Sequence, residues 1–357
     1  MKLSIFPYVV QNEILDNLKI SELLLLSFVS KNMKKLIKSS QITRFKSISH
    51  IVYANGFTEF ESPVVYIPFT PKSDNIMEFI ECRDAAREET NIPYFRLNVS
   101  GKIMNFRLHH KHHYLKIYFH PSDKESTIES IHNYFLDFFC DTVEYQYVEN
   151  YRQFIPHLSK LSLCLSFWPQ DWGRIRDIKN VEEYLASSPV LKWMNMSLDN
   201  PELFSQESKF YQAKSISLKL YSNNVPTFLR HFQGRQAFLR CYKWDILDLI
   251  EFMNKWKSGE ECRKLEFLKI TLVFDNPPNE LLNANGVKHI DATKKPPTHT
   301  LPVVCKYTYF PNTTPITSHS YVVRITDNRV ASVSIQGKSF CFGVWNKTEE
   351  EFLRMAT

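Results

Sequence analysis

At 357 residues, with 43% hydrophobic and 23% charged residues and a net charge of +6, the chain has the make-up of a folded α/β protein of two domains, not a disordered or fibrous one. Eight glycines beside 27 phenylalanines argue against phosphate-cradling loops and for thick aromatic cores. No apolar run nears the ~20 residues a membrane helix needs, and Pro7, Glu13 and Asp16 interrupt the apolar start, so neither a membrane span nor a secretory leader is expected.

Seven scattered cysteines, with no CxxC pair, suit reduced thiols and a cytoplasmic or nuclear setting. Eight of the Lys/Arg residues and only three acids fall in residues 1–50, so that stretch carries most of the net charge. The rest is close to neutral, which is not the footprint of a large nucleic-acid surface.

In chain order, Pro7 opens a short amphipathic helix on which Val10, Ile14 and Leu18 recur at spacing four. Ser21 is read as the N-cap of a second helix, with Glu22 favoured by the helix dipole. That helix, Leu23 to Val29, is apolar almost all round and needs two partners. Ser30 caps a third, with Met33, Leu36 and Ile37 inward and Lys31, Lys34, Lys35 and Lys38 towards water. Three such helices bury too little surface to stand alone.

The stretch from Phe6 to Ile37 resembles an F-box without a gap. Phe6-Pro7, Glu13-Ile14-Leu15, Leu18, Glu22-Leu23-Leu24, Leu26 to Lys31 and Lys34-Lys35-Leu36 stand at its pattern positions. Ile20, Ser30 and Met33 replace the usual Pro, Cys and Trp. The resemblance implies docking onto the Skp-type adaptor of a Skp–cullin–F-box ubiquitin ligase, and through it a cullin. Pro7, Ile14, Leu15, Leu18, Leu24, Leu26, Lys34 and Lys35 would make or support that contact.

Beyond the helices, residues 45–60 and 63–69 read as strands and 74–90 as a helix opened by Asp74. A strand pair follows at 94–108 and 113–119, then a helix over 126–139. Alternating segments at 158–165, 213–220 and 265–272 recur about fifty residues apart, with helices read at 180–196, 200–210 and 245–257 between them. Asp245 is the expected N-cap of the last and Gly259 its stop. Strand then helix suggests parallel strands in degenerate leucine-rich-repeat-like units. Residues 275–300 read as loop, and Tyr321–Thr326, Ala331–Ile335 and Ser339–Trp345 as a closing β-meander.

Residues 200–345 also resemble the nematode F-box-associated domain of the second type. The resemblance rests on Phe232 to Phe238, Met253 to Trp256, Leu265 to Leu268, Arg324 to Val333 and Phe342 to Trp345. It implies an F-box over 1–45 and a substrate-recognition domain over 46–357 that binds an unknown target protein.

His109 to His113 tempts as a metal site. Alternate strand positions face opposite ways and no carboxylate or thiol cluster stands near, so no metal or cofactor is expected. No GxSxG, HExxH or phosphate-loop motif appears either, so the chain is expected to be a receptor, not an enzyme. Trp168 and Trp172, around Pro169, are candidate target contacts. The competing reading is a scaffold or RNA-binding protein that uses the basic first fifty residues.

Overall fold

A computed structural model describes residues 5–55, 63–68, 73–82, 94–109, 114–150, 158–167, 178–188, 190–198, 204–221, 224–243, 245–274, 279–283, 286–301, 304 and 315–357. These fall into two compact units, Met1–Leu163 and Cys164–Thr357.

The first unit opens with helices α1 (Tyr8–Asp16), α2 (Ile20–Ser27), α3 (Lys31–Ser40) and α4 (Ile42–Lys46). A mostly-strand region follows: β1 (His50–Asn55), β2 (Val64–Ile67), β3 (Asp74–Glu81), β4 (Phe95–Val99), β5 (Lys102–Leu108) and β6 (Leu115–Phe119), then α5 (Lys124–Phe138) and β7 (Glu144–Asn150). The sheet order is β7-β1-β2-β3-β6-β5-β4, with β1–β7 and β3–β6 parallel and the other pairs antiparallel. Strand β8 is Leu161–Ser166.

Several expectations are corrected here. Residues 74–81 form a strand, not a helix. Ile76, Met77, Glu78 and Phe79 are all buried, so both faces of β3 are covered, and a strand covered on both faces mimics helical spacing. Asp74 instead lies beside the start of α2, near Lys19 and Ile20, where burial raises its carboxyl pKa. Ser21 is not the N-cap: it lies buried inside α2, and Lys19 takes the cap position, donating its N–H to Glu22 at 2.8 Å. Pro7 sits one position earlier than expected, as the N-cap of α1. The 94–108 segment is two strands, not one, joined where Ser100 and Gly101 both take positive φ. The Ser30 cap stands as expected, its hydroxyl accepting from the Met33 N–H at 3.1 Å.

The second unit contains α6 (Ile178–Ser187), β9 (Val190–Leu198), α7 (Lys209–Gln212), β10 (Ser215–Leu220), α8 (Val225–His231), β11 (Gln236–Cys241), α9 (Ile246–Ser258) and β12 (Phe267–Leu272). Then come the short strands β13 (Lys288–His289), β14 (Thr298–His299) and β15 (Ile316–Thr317), the hairpin strands β16 (Ser320–Val323), β17 (Arg329–Gln336) and β18 (Ser339–Thr348), and α10 (Glu349–Leu353). Strands β9, β10, β11 and β12 run parallel and adjacent, with Met196, Leu218, Leu239 and Ile270 buried across one face. The antiparallel β18 continues the sheet from β12 into the meander β18-β17-β16, which β13 extends. Asn328 and Gly337 take the positive φ its two turns require.

Residues 180–196 are not one helix. The helix stops at Ser187 and residues 190–198 form β9, because Pro189 in the sequence cannot continue a helix. Among the described residues 204–212, the helix is confined to Lys209–Gln212. The fifty-residue interval is also too long, since β9 and β11 flank β10 and shorten the strand-to-strand step. Helix α9 matches expectation closely: Asp245 accepts the Leu247 N–H at 3.0 Å, and Gly259 closes the helix at φ +78°.

Candidate functional site

The four N-terminal helices are held together by polar locks. Arg44 donates to the Leu18 carbonyl at 2.7 Å, and Gln41 donates to the Asp16 carboxylate at 2.5 Å. Their apolar interior is Leu15, Ile20, Leu23, Leu24, Ile37 and Phe45, all almost wholly buried.

Helices α2 and α3 are anchored on α5 through Tyr134. Its ring stacks on Phe28 with centroids 4.4 Å apart, and its hydroxyl lies 2.7 Å from the Ser27 hydroxyl. The Lys34 ammonium lies 3.6 Å over the same ring and 2.6 Å from Asp137, which Lys38 also approaches, at 3.2 Å. Burial pushes the Lys34 pKa down, while the Lys34 hydrogen bond holds that of Asp137 down. At 2.6 Å the geometry is that of a charged pair. Burial also pushes the Tyr134 hydroxyl up to about 12.

This sorts the residues singled out by sequence. Leu15 and Leu24 are fully buried and pack internally. Ile14, Leu18 and Leu26 are half-buried, whereas Pro7 and Lys35 are exposed. Lys34 is not on a solvated face as expected, because Tyr134 and Asp137 cover it. Val10, expected inward, is exposed.

What sequence reasoning missed is the apolar start of α1. Ile5 is 72% exposed, Tyr8 56% and Val9 78%, with Pro7 among them and Val29 exposed at the end of α2. A signal was present: Tyr8, Val9 and Val10 point in three successive helical directions, so one face cannot bury all three. Large apolar side chains left in water along one short segment mark an interaction surface.

Residues 3–45 match the F-box domain family. The chain therefore carries an F-box at its N-terminus, and its helices fit one. An F-box typically binds a Skp-type adaptor and is consistent with a subunit of a Skp–cullin–F-box ligase; proteins that carry one are generally non-catalytic receptors. No curated protein and no solved structure matches the chain.

Outside the F-box, Trp168, Trp172 and His110 to His113 lie outside the described residues. His109 is half-buried with its ring centroid 4.6 Å from that of Tyr114. Among the described residues no three metal-ligating side chains converge, and no helix is long and apolar enough to cross a membrane. Burial raises the thiol pKa of Cys241 and Cys262 to about 12, so neither is an activated nucleophile.

Proposed function

We propose that this chain is the substrate-receiving subunit of a Skp–cullin–F-box ubiquitin ligase, working in the cytoplasm or nucleus. The observation that carries the reading is the F-box match over residues 3–45, with the exposed Ile5, Pro7, Tyr8 and Val9 inside it. In this reading Pro7, Tyr8 and Val9 meet the Skp-type adaptor, Ile14, Leu18 and Leu26 line the margin, and Lys35 offers a cation. Leu15 and Leu24 support the face from within. The adaptor carries the cullin, and the remainder of the chain holds a target protein.

The recognition region is read as an F-box-associated domain of the second, nematode type, with β9 to β12 and their helices as degenerate leucine-rich-repeat-like units. Its pattern residues occupy demanding positions, which supports one shared core. A Cβ on Gly234 would stand 2.1 Å from the Ala213 carbonyl oxygen, so no side chain fits there. Trp256 packs edge-on against Phe342 at 5.0 Å, beneath the Arg324 guanidinium at 5.0 Å.

The test is co-purification with a Skp-type adaptor, for wild type and for Val9→Asp with Tyr8→Ser. These side chains are exposed, so the thermal melt should not change while the complex is lost. A wild-type chain that captures no adaptor, or a variant that captures it equally well, overturns the reading. Leu24→Asp is the wrong probe, because it would unfold the helices it sits in.

A further inference from the structure

The parallel strands of the second unit have a second face. Opposite the buried layer, the register sets Ser197, Lys219, Arg240 and Thr271 side by side across β9 to β12. All four are half-buried or exposed. Towards the amino ends of these strands the face is closed, since Phe267, Ile316 and Cys341 form a small core with Phe238 and Leu301 against it. The carboxyl ends are lined instead by a row of rings. Tyr221 stacks on Tyr242 with centroids 5.5 Å apart, and Tyr242 meets Phe274 at the same separation, with Phe274 69% exposed.

Lys219 and Arg240 are direct cross-strand partners, on strands roughly 4.8 Å apart. Like charges in that position repel. The Lys219 ammonium leans over the rings of Tyr221 and Tyr242, at 4.8 and 5.9 Å. Among the described residues neither cation joins an ion pair, and the exposed Lys243 adds a third positive charge close by. An anion docked on this face would meet both cations, and the Arg240 guanidinium offers a fork that fits a carboxylate. The carboxyl ends of parallel strands are also where open α/β sheets bind ligands.

We infer that this ledge docks an acidic peptide segment of a partner protein, with its carboxylates on Lys219 and Arg240 and an apolar side chain laid on Tyr242 and Phe274. A nucleic acid fits less well. Tyr221 and Tyr242 lie within 24° of parallel and already cover one another, whereas base stacking needs an open ring face. The inference rests on the receptor reading only in taking the peptide to belong to a target.

The experiment is selection of a random dodecapeptide display library on the full-length chain and on the Lys219→Glu, Arg240→Glu double variant. Wild type should enrich peptides rich in Asp and Glu, which bind the double variant at least tenfold more weakly at an unchanged melting temperature. The double variant should in turn favour Lys/Arg-rich peptides. Selection without acidic bias, equal binding to the variant, or tighter charge-dependent binding of a single-stranded RNA dodecamer would overturn the inference. Adaptor capture on the same samples reports separately on the F-box, so either reading can fail while the other stands.

Discussion

Replacing Tyr134 by alanine strikes the joint between the F-box and the helix beneath it. The ring is buried, stacks on Phe28, carries the Lys34 cation and bonds Ser27 through its hydroxyl. Truncating a large buried aromatic costs about 3–5 kcal/mol, and the Lys34 contact contributes roughly 0.5–1 kcal/mol of that. Tyr134→Phe isolates the hydroxyl, whose loss costs about 1 kcal/mol or less, because Ser27 keeps its hydrogen bond to the Leu24 carbonyl at 2.6 Å. The assay is urea denaturation of the full chain, read together with amide hydrogen exchange over α2 and α3. Alanine should lower the first transition several-fold more than phenylalanine does, and should strip protection from both helices. Equal effects of the two variants, or unchanged protection in α2 and α3, would show that Tyr134 does not anchor the F-box.

Three further outcomes follow from the geometry. The carboxyl of Asp137 is held below its ordinary pKa chiefly by Lys34, so its stabilisation is complete above about pH 4 and fades as pH falls through the lowered value; Asp137→Asn should flatten the acid limb of a stability-versus-pH curve there, by a small amount because the carboxylate is largely exposed. Asp327→Ala leaves the buried Arg324 guanidinium, among the described residues, with the Arg263 carbonyl at 3.2 Å and the Trp256 ring, and should cost about 2 kcal/mol in chemical denaturation, less than a fully buried pair because Asp327 is partly solvated. Gly259→Ala forces a side chain into left-handed backbone with its Cβ 2.8 Å from Thr326, and should lower stability by more than about 1 kcal/mol, seen as a drop in melting temperature that Thr326→Ala only partly restores.

The elements legible in the sequence were those whose signals are local. Ser30 and Asp245 cap helices because a short side-chain oxygen reaches the first free N–H groups wherever the helix sits. Gly259 ends α9, and Asn328 and Gly337 turn the meander, because positive φ is a property of the residue itself. The F-box was legible in the same way, as a linear pattern of helix-facing residues at residues 3–45.

Tertiary structure decided the rest, because burial depends on what lies across from a residue. Asp74 reads locally as a helix opener, yet it begins strand β3 and lies beside the start of α2, which only folding brings near. Residues 76–80 carry helical spacing but form a strand, since both faces of β3 are covered. Lys34 reads as a solvated charge until α5 places Tyr134 and Asp137 against it. Which leucines of the F-box face a partner and which pack inside is likewise a matter of neighbours: Leu24 and Leu26 are alike in sequence, and only the fold buries the first and leaves the second partly open.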